Sequence, residues 1–153
     1  MLEEGMKAPG FTLTNSGGDK VSLKDFLGKK VVLYFYPKDM TSGCTQEACD
    51  FRDNFSQFKK LNAVIVGISP DGEASHKKFE EKYELPFVLL SDPDHKVCEL
   101  YGVWKEKSMY GRKYMGVERS TFLIDEKGKI LKTYNKVKVT GHALDALKTF
   151  QEV

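Results

Sequence analysis

Two uninterrupted apolar, β-prone runs, Val31-Val32-Leu33-Tyr34-Phe35-Tyr36 and Ala63-Val64-Ile65-Val66-Gly67-Ile68-Ser69, restrict the possible folds more than any other feature of the chain. A strand without polar alternation is one covered on both faces. The first run reads as a strand over 30–36 and the second as a buried strand over 63–69. Between them, Cys44, Ala48, Phe51, Phe55 and Phe58 recur at steps of four and three. That spacing lines one apolar stripe on a 3.6-residue period, so a helix is expected over 45–60, beginning close to Cys44. Pro37 opens the loop that joins strand to helix.

The remaining segments fall around this unit. Residues 11–13 and 21–23 flank Asn15-Ser16-Gly17-Gly18-Asp19, a turn-rich link that reads as a hairpin. A short turn over 25–27 is closed by Gly28. An amphipathic helix spans 75–83, with Phe79 and Tyr83 on one face. Leu85-Pro86 ends it before a strand over 87–90, and Ser91-Asp92-Pro93-Asp94 starts a helix to about residue 101. Residues 104–115 alternate polar and aromatic without a readable period. A hairpin over 120–124 and 129–134 turns at Asp125-Glu126-Lys127-Gly128, and a closing helix over 141–151 turns Ala143, Leu144, Leu147 and Phe150 inward. Strands alternating with helices, then a hairpin and a helix, give an α/β sandwich around a mixed sheet. The order is that of a thioredoxin-like fold with an added N-terminal hairpin.

At 153 residues the chain is expected to form one domain, 1–153. With 41% apolar and 30% charged residues it matches neither a disordered nor a membrane class. No apolar run approaches the ~20 residues of a membrane-spanning helix. The start, Met1-Leu2-Glu3-Glu4-Gly5-Met6-Lys7, lacks the basic-then-apolar pattern of a signal peptide, so a cytoplasmic protein is expected. The net charge of +2 comes from 24 basic and 22 acidic residues, well interspersed. Lys127, Lys129, Lys132, Lys136 and Lys138 form the most basic run. They read as a solvated sheet edge, where lysine blocks unwanted pairing, rather than as a nucleic-acid patch.

Three cysteines in a chain with no signal segment argue against a secreted disulfide scaffold and for redox or catalytic use. Cys44 falls on the core-facing stripe in the first turn of its helix. There the macrodipole is positive and backbone N–H groups lack intrahelical partners, an environment that favours the nucleophilic thiolate. Taken alone, the same position also suits a buried cysteine acting as a small hydrophobe. Cys49, five residues on, lies roughly 140° around the helix, on the polar side. Oxidised Cys44 would have this second thiol nearby to condense with. On an intact helix, however, Cα atoms five residues apart are roughly 8.7 Å from each other. A disulfide needs about 7 Å or less. Bridging therefore requires the first turn or more to unwind.

Pro37-x-x-x-Thr41-x-x-Cys44 resembles the active-site signature of peroxiredoxins, and residues 34–52 resemble the branch called bacterioferritin comigratory protein, or PrxQ. Further matches are Ala8-Pro9, Phe11-Thr12-Leu13, Val21-Ser22-Leu23, Asp25-Phe26 and Tyr101-Gly102-Val103-Trp104. Later come Tyr110-Gly111-Arg112-Lys113-Tyr114-Met115-Gly116 and Arg119-Ser120-Thr121-Phe122-Leu123-Ile124-Asp125. Three positions depart from the pattern: Gly10 replaces an acidic residue, and Met40 and Ser42 replace the common Asn and Pro of the loop.

The resemblance implies the fold just described and a thiol-dependent peroxidase acting on hydroperoxides without cofactor or metal. It implies Cys44 as the peroxidatic thiol, Cys49 as the resolving one, and Thr41, Pro37 and Arg119 as the rest of the site. Arg119 supplies a fork of donors that can hold a thiolate and the oxygens of the transition state. Glu47 is its expected partner. The Thr41 hydroxyl is expected beside the sulfur or capping the helix. Thioredoxin or a similar dithiol is the implied reductant, and a monomer the implied state; nucleic-acid and membrane partners are not. Cys98 is expected to be a buried structural thiol.

Three other readings use the same residues. A protein thiol–disulfide oxidoreductase shares the fold but usually carries Cys-x-x-Cys, whereas four residues intervene here. A zinc module would draw on Cys44, Cys49, His95 and Cys98, although one helix would point two of these ligands apart. A peroxide sensor would use the same thiols once, without multiple turnover.

Overall fold

The structure, a computed structural model, describes residues 2–153. Its centre is a seven-stranded mixed sheet. β3 (Lys30–Phe35) lies between β4 (Ala63–Ser69), parallel to it, and β8 (Ser120–Ile124), antiparallel. Outward from β4 come β5 (Val88–Ser91), parallel, and then β1 (Thr12–Asn15) and β2 (Lys20–Ser22), the N-terminal hairpin. Outward from β8 comes β9 (Ile130–Tyr134), the opposite edge. Residues 5–7 lie along that edge, with Gly5 N–H donating to the Ile130 carbonyl and Ile130 N–H to that of Met6, both at 2.8 Å. Lys132 sits on β9 itself, Lys127 and Lys129 in the turn before it, and Lys136 and Lys138 beyond it; the start of this edge is covered, with Lys7 in a backbone bridge to Lys129.

The apolar runs bury both faces because their side chains alternate between two cores. Val32, Tyr34 and Tyr36 join α1 (Ser42–Asp53), α2 (Phe55–Lys60), α3 (Glu73–Tyr83) and α5 (His142–Gln151) in one cluster. Val31, Leu33 and Phe35 join α4 (Lys96–Leu100), a 3-10 turn over Leu23–Phe26 and the base of a second hairpin in the other. Gly67 of β4 admits no side chain, since a Cβ there would lie 2.8 Å from Leu89 Cδ2 and 2.9 Å from Tyr34 Cζ.

Three expectations need correction, and one unassigned stretch finds its structure. The helix expected over 45–60 is two helices. Asn54 breaks it, its side-chain Nδ2 donating to the Asp50 carbonyl at 2.8 Å, a local bond that competes with helix continuation. The helix expected from 91–94 is confined to α4, because residues 92–95 form a turn in which His95 N–H bonds the Asp92 carbonyl. The Asp92 carboxylate then accepts from Val97 N–H and Cys98 N–H. In α5, Leu144 points outward at 58% exposure; the buried stripe is Ala143, Ala146, Leu147 and Phe150. Residues 104–115 contribute to a hairpin, β6 (Trp104–Met109) and β7 (Arg112–Val117), that is separate from the main sheet. Its two-residue turn, Tyr110 at φ 52° and Gly111 at φ 78°, has positive φ at both positions, the backbone that matches strand twist in a tight hairpin.

Candidate active site

The chain leaves the sheet at Pro37, just after Tyr36 N–H makes its bond to the Ile68 carbonyl at 3.0 Å. Pro37 has no N–H to extend the ladder, so the backbone turns out over the end of β3. Met40 follows at φ 62°, a left-handed conformation in which asparagine is better tolerated than methionine. Thr41 stands at the N-cap position of α1, but its hydroxyl does not cap the helix. Instead Oγ1 donates to the Lys38 carbonyl at 2.9 Å, which leaves the oxygen's lone pairs free to accept.

Three residues on, Cys44 is 2% exposed and belongs to the core shared with Ala48 and Phe51. Arg119, immediately before β8, reaches it from the neighbouring strand. The register ends at the Phe35–Ser120 pair, so Arg119, one residue earlier, leaves the strand at the end where the loop begins. Arg119 Nη2 donates to Cys44 Sγ at 3.3 Å, and Nη1 donates to Glu47 Oε1 at 2.6 Å. One planar guanidinium thus bridges the sulfur and a carboxylate one turn further along the same helix. Burial opposes the Arg119 charge, and Glu47 and Cys44 more than offset it. Gly43 eases the approach: a Cβ there would lie 3.2 Å from Arg119 Nη2, a tight contact that would displace the guanidinium slightly.

Glu47 is 1% exposed, and its Oε2 has no hydrogen-bond partner. Burial pushes its carboxyl up to about 7, against the pull of Arg119. Cys49 is half-buried on the other side of α1, and burial, with Asp53 and Asp50 nearby, raises its thiol despite Arg52. All three cysteines are free thiols, and α1 is continuous through Cys44 and Cys49.

The structure therefore brings Cys44, Arg119, Glu47, Thr41 and Pro37 to one end of the sheet, with Cys49 on the far side of the same helix. Cys98 lies in the opposite core. With the sheet between Cys44 and Cys98, no single ion could take both, which overturns the zinc reading. Two features of the site were not read from the sequence. Lys107 of β6 faces the group, its ammonium held below the usual lysine range by burial and by the Arg119 charge. Asp39, in the loop, is buried and bonded to His76 of α3. His76 stands on the apolar stripe His76, Phe79, Tyr83, which marks it as buried but does not name Asp39 as its partner.

A family model described as AhpC/TSA matches residues 5–133. The chain belongs to the peroxiredoxins of the AhpC/TSA family. It is 53% identical to the peroxiredoxin Bcp of Bacillus subtilis over 152 residues, covering 99% of this chain and 97% of that one. It is 48% identical to the peroxiredoxin Bcp of Escherichia coli, covering 92% and 90%. Among solved structures, a cysteine-to-serine variant of Xylella fastidiosa PrxQ superposes with a TM-score of 0.94 at 36% identity, covering 99% and 97%. The bacterioferritin comigratory protein of Xanthomonas campestris, studied for alkyl peroxide reduction, superposes at 0.88 with 42% identity, covering 93% and 90%. The thioredoxin-like fold and the PrxQ branch read from the sequence both stand. No helix among the described residues is long and apolar enough to cross a membrane.

Proposed function

We propose that this chain is a thiol-dependent peroxidase for hydrogen peroxide and organic hydroperoxides, with Cys44 as nucleophile and Cys49 as resolving thiol. The observation that carries the reading is the Arg119 guanidinium donating to Cys44 Sγ at 3.3 Å while Glu47 holds its other arm. A fixed cation beside the sulfur supplies the counter-charge a thiolate needs. It also places donors where the departing oxygen gathers charge. The Thr41 oxygen, free to accept, can take the hydrogen of the incoming hydroperoxide.

The thiolate attacks the nearer peroxide oxygen. An S–O bond forms, the O–O bond breaks, and the leaving alkoxide or hydroxide takes up a proton to depart as alcohol or water. Cys44 is left as sulfenic acid. The first turn of α1 then unwinds, Cys49 attacks the oxidised sulfur, and water leaves as the disulfide forms. A dithiol such as thioredoxin reduces the disulfide by exchange and is itself oxidised. The cycle calls on no cofactor or metal, and it is assigned to a cytoplasmic monomer acting as one domain.

The test is peroxide consumption with thioredoxin and its reductase, combined with peptide mapping under non-reducing conditions after one equivalent of hydrogen peroxide. Many equivalents consumed per chain and a Cys44–Cys49 peptide are expected. Cys44→Ser abolishes consumption, and Cys49→Ser stops after one oxidation, with the sulfenic acid detectable by mass. A single equivalent consumed by the wild type would make the protein a peroxide sensor instead. A disulfide through Cys98 would remove Cys49 from its role.

A further inference from the structure

A second buried polar cluster lies just upstream of Cys44, centred on Asp39. The carboxylate accepts three hydrogen bonds: from Tyr36 Oη to Oδ1 at 2.6 Å, from Ser75 Oγ to Oδ2 at 2.7 Å, and from His76 Nδ1 to Oδ2 at 2.7 Å. Its own N–H donates to Asp71 Oδ2 at 2.6 Å, and Asp71 is held in turn by Ser69. His76 is fully buried, and its Nε2 faces the Leu90 carbonyl at 3.0 Å. Both partners of the ring are acceptors. A neutral imidazole could donate to only one of them and would turn a lone pair on the other. The geometry fits a doubly protonated ring that donates to both, and with it a buried ion pair.

This pair ties the loop to α3 and β5 five residues before the reactive sulfur. Beyond it, Met40 and Thr41 are exposed, and the Thr41 hydroxyl bonds only within the loop. The next long-range hold is Arg119 on Cys44 and Glu47. The first turn of α1 is thus suspended between two buried ion pairs, Asp39–His76 upstream and Glu47–Arg119 downstream.

We propose that Asp39 and His76 are positioning residues for the peroxidase reaction. They fix the upstream end of the Cys44 segment, so that the sulfur meets Arg119 in the folded state and unwinding starts only after Asp39. The proposal rests on the peroxidase reading above. Its physical basis is that a displacement of roughly 1 Å at a reacting atom can cost about a hundredfold in rate. The groups facing the imidazole are Asp39 from the loop, Tyr36 just after β3, Asp71 from the link after β4, Ser75 and Glu80 from α3, and the Leu90 carbonyl from β5. Burial works against the His76 charge, and Asp39 more than offsets it, so the ring titrates above its ordinary 6.5. Raising the pH until the ring is neutral removes its charge and one of its two N–H donors, so one of the bonds to Asp39 and the Leu90 carbonyl is lost and the anchor loosens.

The experiment is stopped-flow measurement of Cys44 oxidation by hydrogen peroxide against pH, on the full chain and on Asp39→Asn, His76→Gln, their double variant and Ser75→Ala, with folding checked by circular dichroism. Each single change at the pair should slow oxidation by about ten- to a hundredfold. The double variant should be no slower than the worse single, because the two act as one unit. Ser75→Ala, which removes one of three donors, should slow it a few-fold. The wild-type rate should fall on the alkaline side, and that limb should be missing in His76→Gln. Folded His76→Gln at the wild-type rate, or one that keeps the alkaline limb, overturns the proposal. If the buried variants do not fold, an unchanged rate in Ser75→Ala together with a flat alkaline profile in the wild type overturns it. A wild type that consumes no peroxide sinks the peroxidase reading instead.

Discussion

Gly43 sits in the first turn of α1, where alanine is the better helix former by roughly 1 kcal/mol. Its missing side chain nevertheless gives the Arg119 guanidinium room beside the sulfur, since a Cβ there would lie 3.2 Å from Nη2. Gly43→Ala should therefore separate two observables. Stability should hold or rise by up to ~1 kcal/mol, while peroxide oxidation of Cys44 slows by about tenfold as Nη2 is displaced. Urea unfolding and stopped-flow oxidation on the same sample check both. Glu47 makes a prediction of opposite character. Its carboxyl is raised from the ordinary 4.5 to about 7, chiefly by burial. Between those values the folded chain keeps a proton that the unfolded chain has released, so this group's contribution to stability falls as pH rises through the window. Glu47→Gln removes the titration. Urea midpoints taken at about pH 5 and about pH 7.5 should fall further for the wild type than for the variant; equal falls would mean that Arg119 keeps Glu47 ionised throughout.

At the scale of elements, the proposed cycle asks α1 to be a helix when Cys44 reacts and something else when a disulfide to Cys49 closes. Asn54 is the natural stop for that unwinding, since it already separates α1 from α2. Hydrogen exchange should show amides of residues 42–49 losing protection on oxidation while those of α2 keep theirs. Loss through residue 60 would mean that the two helices melt together. Ser42 is the first helical residue, and Thr41 before it is extended at φ −78°, ψ 156°. Both conditions suit proline, whose absent N–H would cost nothing there. Ser42→Pro should stabilise the helix start by about 0.5–1 kcal/mol through the unfolded state and slow disulfide closure several-fold without slowing the first oxidation, measured by mass after a peroxide pulse. The elements read best from the sequence were those with a buried period, such as β4, whose bounds at 63–69 are those expected. The β6–β7 hairpin was missed because it is separate from the main sheet and largely exposed, so burial imposes no alternation on it. In α5 the choice between Leu144 and Ala146 followed hydrophobicity, whereas burial follows the three-and-four spacing from Ala143.

At the scale of the whole molecule, the sheet separates two kinds of chemistry. Every group assigned to the reaction lies on the face that holds α1, α3 and α5, and the chain order alone could not show this. Arg119 stands 75 residues from Cys44 and Asp39 37 from His76. The first pairing was legible through the resemblance of the surrounding motifs; the second was not, since Asp39 reads as a loop acid and His76 as a helix residue until the fold sets them together. Cys98 is the thiol that this division isolates. It is fully buried in the opposite core, and burial, reinforced by Asp92, pushes its thiol far above the ordinary range. A thiol that keeps its proton is neither a nucleophile nor a ready target of oxidants. Cys98→Ala should leave peroxide turnover unchanged within about twofold and lower stability by roughly 1 kcal/mol for the lost packing. Mass mapping of the oxidised wild type should find Cys98 alkylated as a free thiol only after denaturation. Disulfide or sulfenic acid at Cys98 in the native protein would mean that the sheet opens during the cycle.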